Sequence, residues 1–166
     1  MATVTLKGNP IHIYGDLPKV GTRVPDFSLV DGDLNDKALS NYKGKKKLLN
    51  IVPSLDTATC ALSTKKFNDF AKTRSDTVIL IISADLPFAQ KRFCGNENLQ
   101  NVIPLSLMRG QNFAKEYGVL IQDGPLAGIT ARAVVVIDEN DKVVYTELVP
   151  EIVDEPDYEK ALAALK

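Results

Sequence analysis

The fold of this chain is organised around residues 48–60, which read Leu-Leu-Asn-Ile-Val-Pro-Ser-Leu-Asp-Thr-Ala-Thr-Cys. An apolar run of strand type leads into Pro53, a short polar turn follows, and Cys60 stands where a helical pattern begins. A thiol in the first turn of a helix faces unpaired backbone N–H groups and the positive end of the helix dipole. Both favour the thiolate, which is the reactive form of cysteine. This stretch therefore predicts a nucleophile at Cys60.

The composition is that of an ordinary globular chain. Of the 166 residues, 45% are hydrophobic and 25% are charged, and the formal net charge is −1. This balance gives no reason to expect nucleic acid or a membrane as a partner, and no apolar run approaches the length of a membrane span. Residues 1–7 lack the apolar core of a secretory signal, so we expect a cytoplasmic protein. The length fits a single domain over residues 1–166.

Strands and helices are predicted to alternate through the middle of the chain. Strand–helix–strand units imply parallel pairing, whereas a late hairpin adds an antiparallel edge. The order predicts an α/β fold, a thioredoxin-like three-layer sandwich with an N-terminal β-hairpin extension. In chain order the predicted elements are a hairpin (4–6 and 11–14), an extended segment (27–30), strands (37–42 and 47–53), a helix (57–74), a strand (77–83), a helix (86–94), a strand (102–107), a helix (111–117), a hairpin (131–137 and 142–149) and a helix (157–165).

Local signals set the ends of the two central helices. Thr57 is a suitable N-cap, which places Cys60 at the third helical position. Pro87 opens the second helix, and Gly95 is placed to end it just after Cys94. The first helix is expected to bury an apolar stripe formed by Leu62, Phe67, Phe70 and Ala71.

The sequence offers no imidazole to activate Cys60. His12 is the only histidine, and its alternation with apolar neighbours predicts a position on a strand surface. Arg132 opens an apolar strand whose end can lie beside the first turn of the helix. An arginine exposed at a strand end accounts for the same pattern, and spacing alone does not decide. Asp56 would oppose a thiolate, so we expect it to face solvent or cap the turn.

Cys94 is the second of only two cysteines, too few for a zinc cage. Without an export signal, a stable disulfide with Cys60 is not expected, and a transient one is favoured. Two unrelated buried thiols remain the alternative.

Several segments together resemble one known family. Residues 53–60 fit the peroxiredoxin active-site pattern Pro-x-x-x-Thr-x-x-Cys, and residues 83–94 are similar to the resolving-cysteine helix of bacterial thiol peroxidases. Residues 131–138 resemble the segment in which that family keeps its active-site arginine, and the ends of the chain, at residues 8–10 and 155–158, are also similar. The likeness spans nearly the whole chain, which is identified as an atypical two-cysteine peroxiredoxin.

The resemblance implies a role for each candidate residue. Cys60 would be the peroxidatic cysteine, whose thiolate attacks a hydroperoxide and becomes a sulfenic acid. Thr57 would aim its hydroxyl at the thiolate and the peroxide, and Arg132 would stabilise the thiolate and polarise the O–O bond. Pro53 would shield the pocket from water. Cys94 would resolve the sulfenic acid through an intrachain disulfide that thioredoxin then reduces.

The resemblance also implies substrates and partners. Hydrogen peroxide and organic hydroperoxides would be the substrates, thioredoxin the reductant and a second copy of the chain the homodimer partner, with no cofactor or metal. Phe88 and Phe93 either line an apolar substrate groove or belong to the core.

A disulfide needs its two Cα atoms within ~7 Å of each other. If the folded chain holds Cys60 and Cys94 further apart, the first turn of one helix and the whole of the other must loosen after oxidation. Pro87 and Gly95 bracket that second helix, so we hypothesise that it melts locally as a unit.

Two other functions compete with a peroxidase. A disulfide oxidoreductase of thioredoxin type usually carries Cys-x-x-Cys, but Thr57 occupies the first of these positions here. A peroxide-responsive redox sensor would pass the Cys60–Cys94 disulfide to a partner protein. Because sensor and peroxidase share the first chemical step, the sequence leaves the sensor open.

Overall fold

The computed structural model describes residues 2–166, which form ten strands and four α-helices. A 3₁₀ turn, Leu39–Tyr42, follows the fourth strand. The strands are β1 (Ala2–Leu6), β2 (Asn9–Tyr14), β3 (Ser28–Val30), β4 (Asp36–Ala38), β5 (Lys46–Ile51), β6 (Thr77–Ser83), β7 (Ile103–Ser106), β8 (Leu120–Ile121), β9 (Ala133–Ile137) and β10 (Val143–Leu148); the helices are α1 (Ala58–Ala71), α2 (Pro87–Asn96), α3 (Asn112–Glu116) and α4 (Tyr158–Ala163).

A seven-stranded sheet, in the order β10-β9-β5-β6-β7-β3-β4, forms the centre of the molecule. Strand β5 runs parallel to β6, and β6 runs parallel to β7, as helical crossovers require. Strand β9 is antiparallel to both β5 and β10, so the late hairpin forms one edge. The predicted thioredoxin-like α/β fold is confirmed.

Side chains alternate along the central strands and so supply two cores. One face of the sheet packs under α3 and the 3₁₀ turn, with Leu49, Leu80 and Phe113 buried there. The other face packs under α1, α2 and α4, with Leu48 and Phe67 at its centre. Because strand residues point alternately up and down, the apolar runs bury both faces and give three layers.

The predicted N-terminal hairpin is confirmed as β1 and β2, which pair antiparallel. It also gains a short third strand, β8, which the sequence did not indicate. Strand β8 has only two residues, which are too few to show the alternation that predicts a strand. A separate apolar cluster lies under this small sheet, with Val4, Ile13 and Ile121 among its buried members.

Three predictions about local structure are wrong. Of the strand predicted over residues 37–42, only Lys37 and Ala38 are extended, as the end of β4, because the following residues turn inward as a 3₁₀ segment that buries Leu39 and Tyr42. Leu62, expected in the buried stripe of α1, is 51% exposed. The helical pattern contained enough apolar residues for a wide stripe, but the sheet covers only the side that carries Phe67.

The third wrong prediction concerns the end of α2. Gly95 lies inside the helix, and the chain instead turns at Asn98, whose φ is 56°. The N–H groups of Asn98 and Leu99 donate to the carbonyls of Gly95 and Cys94, which is the pattern of a Schellman cap. Asparagine tolerates the left-handed region, so it takes the position usually given to glycine.

None of the helices in residues 2–166 has the length and apolar character that a membrane span requires.

Candidate active site

The site is built where β5 ends and α1 begins. Buried Pro53 follows the strand, and the loop leads to Thr57, the N-cap of α1. The Thr57 side chain accepts a hydrogen bond of 3.3 Å from the backbone N–H of Cys60. The predicted cap and the predicted third helical position of Cys60 are both confirmed. The thiol therefore lies at the positive end of a 14-residue helix.

Cys60 is fully buried, and a guanidinium reaches it from the sheet. Arg132 Nη1 lies 3.1 Å from Cys60 Sγ, within range of a charge-assisted hydrogen bond to a thiolate. Arg132 is only 2% exposed, so the alternative of an arginine in solvent at the strand end is wrong. The structure thus brings a buried guanidinium into direct contact with the sulfur.

The segment after β10 holds Arg132 in this orientation. Arg132 Nε donates to the carbonyl of Ile152 at 2.8 Å. The N-terminal hairpin, β1 and β2, in turn fixes the segment that contains Ile152, because the N–H of Ile152 donates to the carbonyl of Thr5. The Glu151 carboxylate accepts from the N–H groups of Gly8 and Lys7. The bond from Gly8, the largest cause, helps to hold the pKa of Glu151 below its ordinary value. The N-terminal hairpin thus supports the position of Arg132 through Ile152.

The Thr57 hydroxyl makes two contacts at the mouth of the site. It accepts from the N–H of Cys60 and donates to the carbonyl of Ser54 at 3.3 Å. Its proton is therefore directed to the loop in this structure, and contact with a peroxide would need a rotation about χ1. Asp56 beside it is exposed, as predicted, so its charge is screened by water.

Two groups of residues near Cys60 had no signal in the sequence. Under the helix, the hydroxyls of Ser63 and Thr64 both donate to the Cys60 carbonyl, and buried Asn50 donates to Ser63. Beside the loop, the Asp85 carboxylate accepts from the Ser54 hydroxyl. Serine, threonine and asparagine are common in turns and caps, so only the tertiary fold distinguishes these from surface residues.

Cys94 lies on α2 and packs against the same apolar cluster as Cys60. Both cysteines are free thiols. Burial raises the pKa of Cys94 to about 11, so this sulfur is protonated at neutral pH. The two cysteines thus differ in environment: one is in contact with a cation and the other lies in apolar surroundings.

A groove of about 840 Å³ runs between the first turn of α1 and the outer face of α2. Phe88 is 65% exposed on its rim, which overturns a core position for this residue. Phe93 is partly buried against the core and also lines the groove. Polar residues also line the groove, among them Thr57 and Asp85.

Helix α4 covers the other side of Cys60. The Tyr158 ring packs edge-on against Phe67 at 5.3 Å, and its hydroxyl donates to Glu155. Burial first, and then this bond and the charge of Glu155, raise the pKa of the Tyr158 phenol, which stays neutral. Lys66 lies over the ring at 4.4 Å. Phe67 of α1 and Tyr158 of α4 pack in the apolar cluster around Cys60, which has no exposure to solvent.

His12 is not part of the site. It lies exposed on β2, as its alternating pattern predicted, and its ring contacts the Asp123 carboxylate.

Comparison with known proteins agrees with this geometry. A family model described as Redoxin matches residues 19–162. This chain belongs to the Redoxin family. A thiol peroxidase from Mycobacterium bovis is 53% identical over 165 residues, which cover 99% of each chain.

Solved structures give the same result. A peroxiredoxin-like protein from Aquifex aeolicus is 45% identical with a TM-score of 0.92, and the match covers 98% of this chain and 95% of that one. A thiol peroxidase from Chromobacterium violaceum is 29% identical with a TM-score of 0.91, over 98% and 94% of the two chains. The predicted membership of the thiol peroxidases is confirmed, and with it the expectation of a peroxidase.

Proposed function

We propose that this chain reduces hydrogen peroxide and organic hydroperoxides through Cys60 and Cys94. The observation that carries the proposal is the 3.1 Å contact between Arg132 Nη1 and Cys60 Sγ, made inside the first turn of a helix. Helix dipole and guanidinium act on the same sulfur, and this arrangement suits a thiolate nucleophile. The helix dipole and the guanidinium together would stabilise the Cys60 thiolate, so that no histidine base is needed to activate the thiol.

In the first step the Cys60 thiolate attacks the terminal oxygen of the peroxide. The O–O bond breaks, Cys60 becomes a sulfenic acid, and the other oxygen takes a proton and leaves as alcohol or water. Arg132 donates to the developing negative charge, and the Thr57 hydroxyl orients the peroxide after turning from Ser54. Pro53 limits the access of water to the sulfur.

In the second step Cys94 resolves the sulfenic acid. Its thiol sulfur forms the S–S bond with Cys60, and the sulfenic oxygen leaves as water. Burial of Cys94, with its raised pKa, supports this division of roles, because a protonated thiol does not compete for peroxide. We expect local loosening of α1 and α2 to bring the two sulfurs together.

Thioredoxin is the proposed reductant. Its dithiol would reduce the Cys60–Cys94 disulfide by exchange and return both cysteines to the thiol form. We also propose that residues 1–166 act as one domain and that the active form is a homodimer, as the family resemblance implies.

A peroxidase assay coupled to thioredoxin and its reductase tests the proposal. Cys60→Ser is expected to abolish peroxide consumption, whereas Cys94→Ser is expected to allow the first oxidation and to block turnover. Intact mass after one equivalent of peroxide reveals whether an intrachain disulfide has formed. Slow peroxide reduction combined with rapid thiol transfer to another protein would instead favour the redox sensor. Activity that persists in Cys60→Ser would overturn the assignment of the nucleophile.

A further inference from the structure

We propose that Asp85 is a positioning residue that sets how readily the two cysteine-bearing helices loosen, and thereby the rate of disulfide formation. This inference rests on the proposed function, because it concerns the step between the Cys60 sulfenic acid and the disulfide. Asp85 lies between β6 and α2, just before Leu86, the N-cap of α2.

The Asp85 carboxylate binds the loop that precedes α1. One oxygen accepts from the Ser54 hydroxyl at 2.7 Å, and the other accepts from the backbone N–H of Leu55 at 2.7 Å. The Ser54 carbonyl accepts from Thr57, which in turn accepts from the N–H of Cys60. A continuous chain of hydrogen bonds therefore joins Asp85 to the first turn of α1.

The same carboxylate is joined to α2. Its second oxygen also accepts from the Ser83 hydroxyl at 2.7 Å, and Ser83 accepts from Gln90 Nε2 at 3.0 Å. Gln90 is fully buried on α2 and also donates to the carbonyl of Leu105 on β7. Gln90 thereby fixes the first half of α2 to the sheet, while Cys94 lies one turn further along.

Asp85 itself is held firmly. Its backbone N–H donates to the Ser83 hydroxyl, and its carbonyl accepts from Ser106 at 2.6 Å. A rigid anion that receives three hydrogen bonds is a strong anchor, since bonds to charged groups are the stronger class. The two segments that the proposed function expects to loosen are both attached to this one side chain. Weakening it would favour the loosened state before any covalent change.

Asp85→Asn is the most direct test. Asparagine keeps the volume of aspartate but is neutral, so the bonds from Ser54, Leu55 and Ser83 lose the strength that the negative charge gives them. We expect disulfide formation to become about tenfold faster, equivalent to about 1.4 kcal/mol. The second-order rate with peroxide should be unchanged or lower. A general loss of structure would slow both steps, so a faster second step identifies positioning.

The experiment uses the full chain, reduced and then mixed with one equivalent of peroxide. Rapid quenching with an alkylating reagent and intact mass give the amounts of thiol, sulfenic acid and disulfide over time. Asp69→Asn is the matched control, because Asp69 is 72% exposed on α1 and pairs with Lys72. In Asp69→Asn, the rate of reaction with peroxide and the rate of disulfide formation should both equal those of the original chain.

Ser54→Ala provides a second variant if Asp85→Asn does not fold, since it removes the side-chain bond from the loop to Asp85 and leaves the bond from the Leu55 N–H in place. It should also speed disulfide formation, and the double variant should gain less than the product of the two effects. Disulfide formation at the original rate or slower in these variants overturns the proposal. If the unaltered chain forms no Cys60–Cys94 disulfide, the proposed function fails first, which is a distinct result.

Discussion

Arg132 works through the geometry of its guanidinium as well as its charge. Its Nε is committed to Ile152, which leaves Nη1 directed at Cys60. A lysine at this position has the charge but cannot make both contacts at once, because its single ammonium lacks the planar fork.

Arg132→Lys is therefore expected to lower the second-order rate with peroxide about 10- to 100-fold, the effect of losing one hydrogen bond to a charged group of ~1.5–3 kcal/mol. Competition with a peroxidase of known rate measures it. Arg109→Lys is the control, because Arg109 is an exposed arginine that holds Asp36 on β4. An Arg132→Lys variant as fast as the original chain would contradict the role given to the guanidinium.

Cys94 gives a pH dependence whose sign follows from its burial. Its pKa is raised from 9.0 to about 11, so the folded chain favours the neutral thiol. The packing of the Cys94 side chain against the apolar core therefore contributes its full stability below about pH 9, and this contribution is lost as the pH rises through about 11.

Alkylation of Cys94 in the Cys60→Ser variant tests this sign, because Cys94 is then the only thiol in the chain. We expect the alkylation rate of the folded protein to reach its half-maximum near pH 11, and that of the urea-unfolded protein near pH 9. Coincident profiles for the two forms would mean that burial does not control this thiol.

At the scale of elements, α2 is a short helix with a weak point near its end. Gly95 has an ordinary helical conformation, and a Cβ added there would meet no atom within 4 Å. A glycine in this position destabilises a helix relative to alanine without any steric need for it. Its place directly after Cys94 suits the proposed loosening of this helix during turnover.

Gly95→Ala is accordingly expected to stabilise α2 by about 0.5–1 kcal/mol and to slow disulfide formation roughly two- to fivefold. Ala89 is exposed on the same helix, and Ala89→Gly should destabilise α2 and speed disulfide formation. The rate of disulfide formation after one equivalent of peroxide measures both. Equal rates in the two variants would show that the disulfide forms without melting of α2.

Hydrogen exchange provides a separate check on the same elements. Amides around Cys94 and in the first turn of α1 should lose protection when the disulfide forms, whereas those of β5 and β6 should keep theirs. Equal protection around Cys94 in the two redox forms would contradict local unfolding.

At the scale of the whole molecule, a buried ion pair joins the central sheet to the tip of the late hairpin. Lys47 on β5 has a fully buried side chain, and its Nζ lies 2.7 Å from Asp141 and 2.8 Å from the carbonyl of Lys45. Asp141 lies in the turn between β9 and β10 with φ of 64°. The pair fixes this edge of the sheet, and with it the strand that follows Arg132.

Lys47→Met should lower the free energy of unfolding by about 3 kcal/mol, because it leaves the Asp141 carboxylate without its buried partner. The double variant Lys47→Met/Asp141→Asn should recover part of that loss, since asparagine is neutral and tolerates the left-handed backbone. Urea unfolding measures both. A double variant less stable than Lys47→Met alone would show that the carboxylate has other essential contacts.

Local sequence determined most of the elements and the helix position of the proposed nucleophile, Cys60. Thr57 and Cys60 lie three residues apart, so their cap geometry follows from helix rules that act over one turn. The apolar runs of β5, β6 and β9 predicted buried strands because their periodicity is local. The end of α3 also follows a local rule, because Gly118 comes directly after the helix predicted over residues 111–117 and has a φ of 65°.

Contacts between distant residues were decided only by the tertiary structure. Arg132 is 72 positions from Cys60, and no local rule distinguishes a buried guanidinium from one in solvent. Asp85 and Asn50 carry no signal for the same reason, since their partners lie on other elements. Sequence alone thus predicted which sulfur lies in the first turn of a helix, because helix position is a local property. The fold decided what surrounds that sulfur, because burial and hydrogen-bond partners depend on how sheets and helices pack.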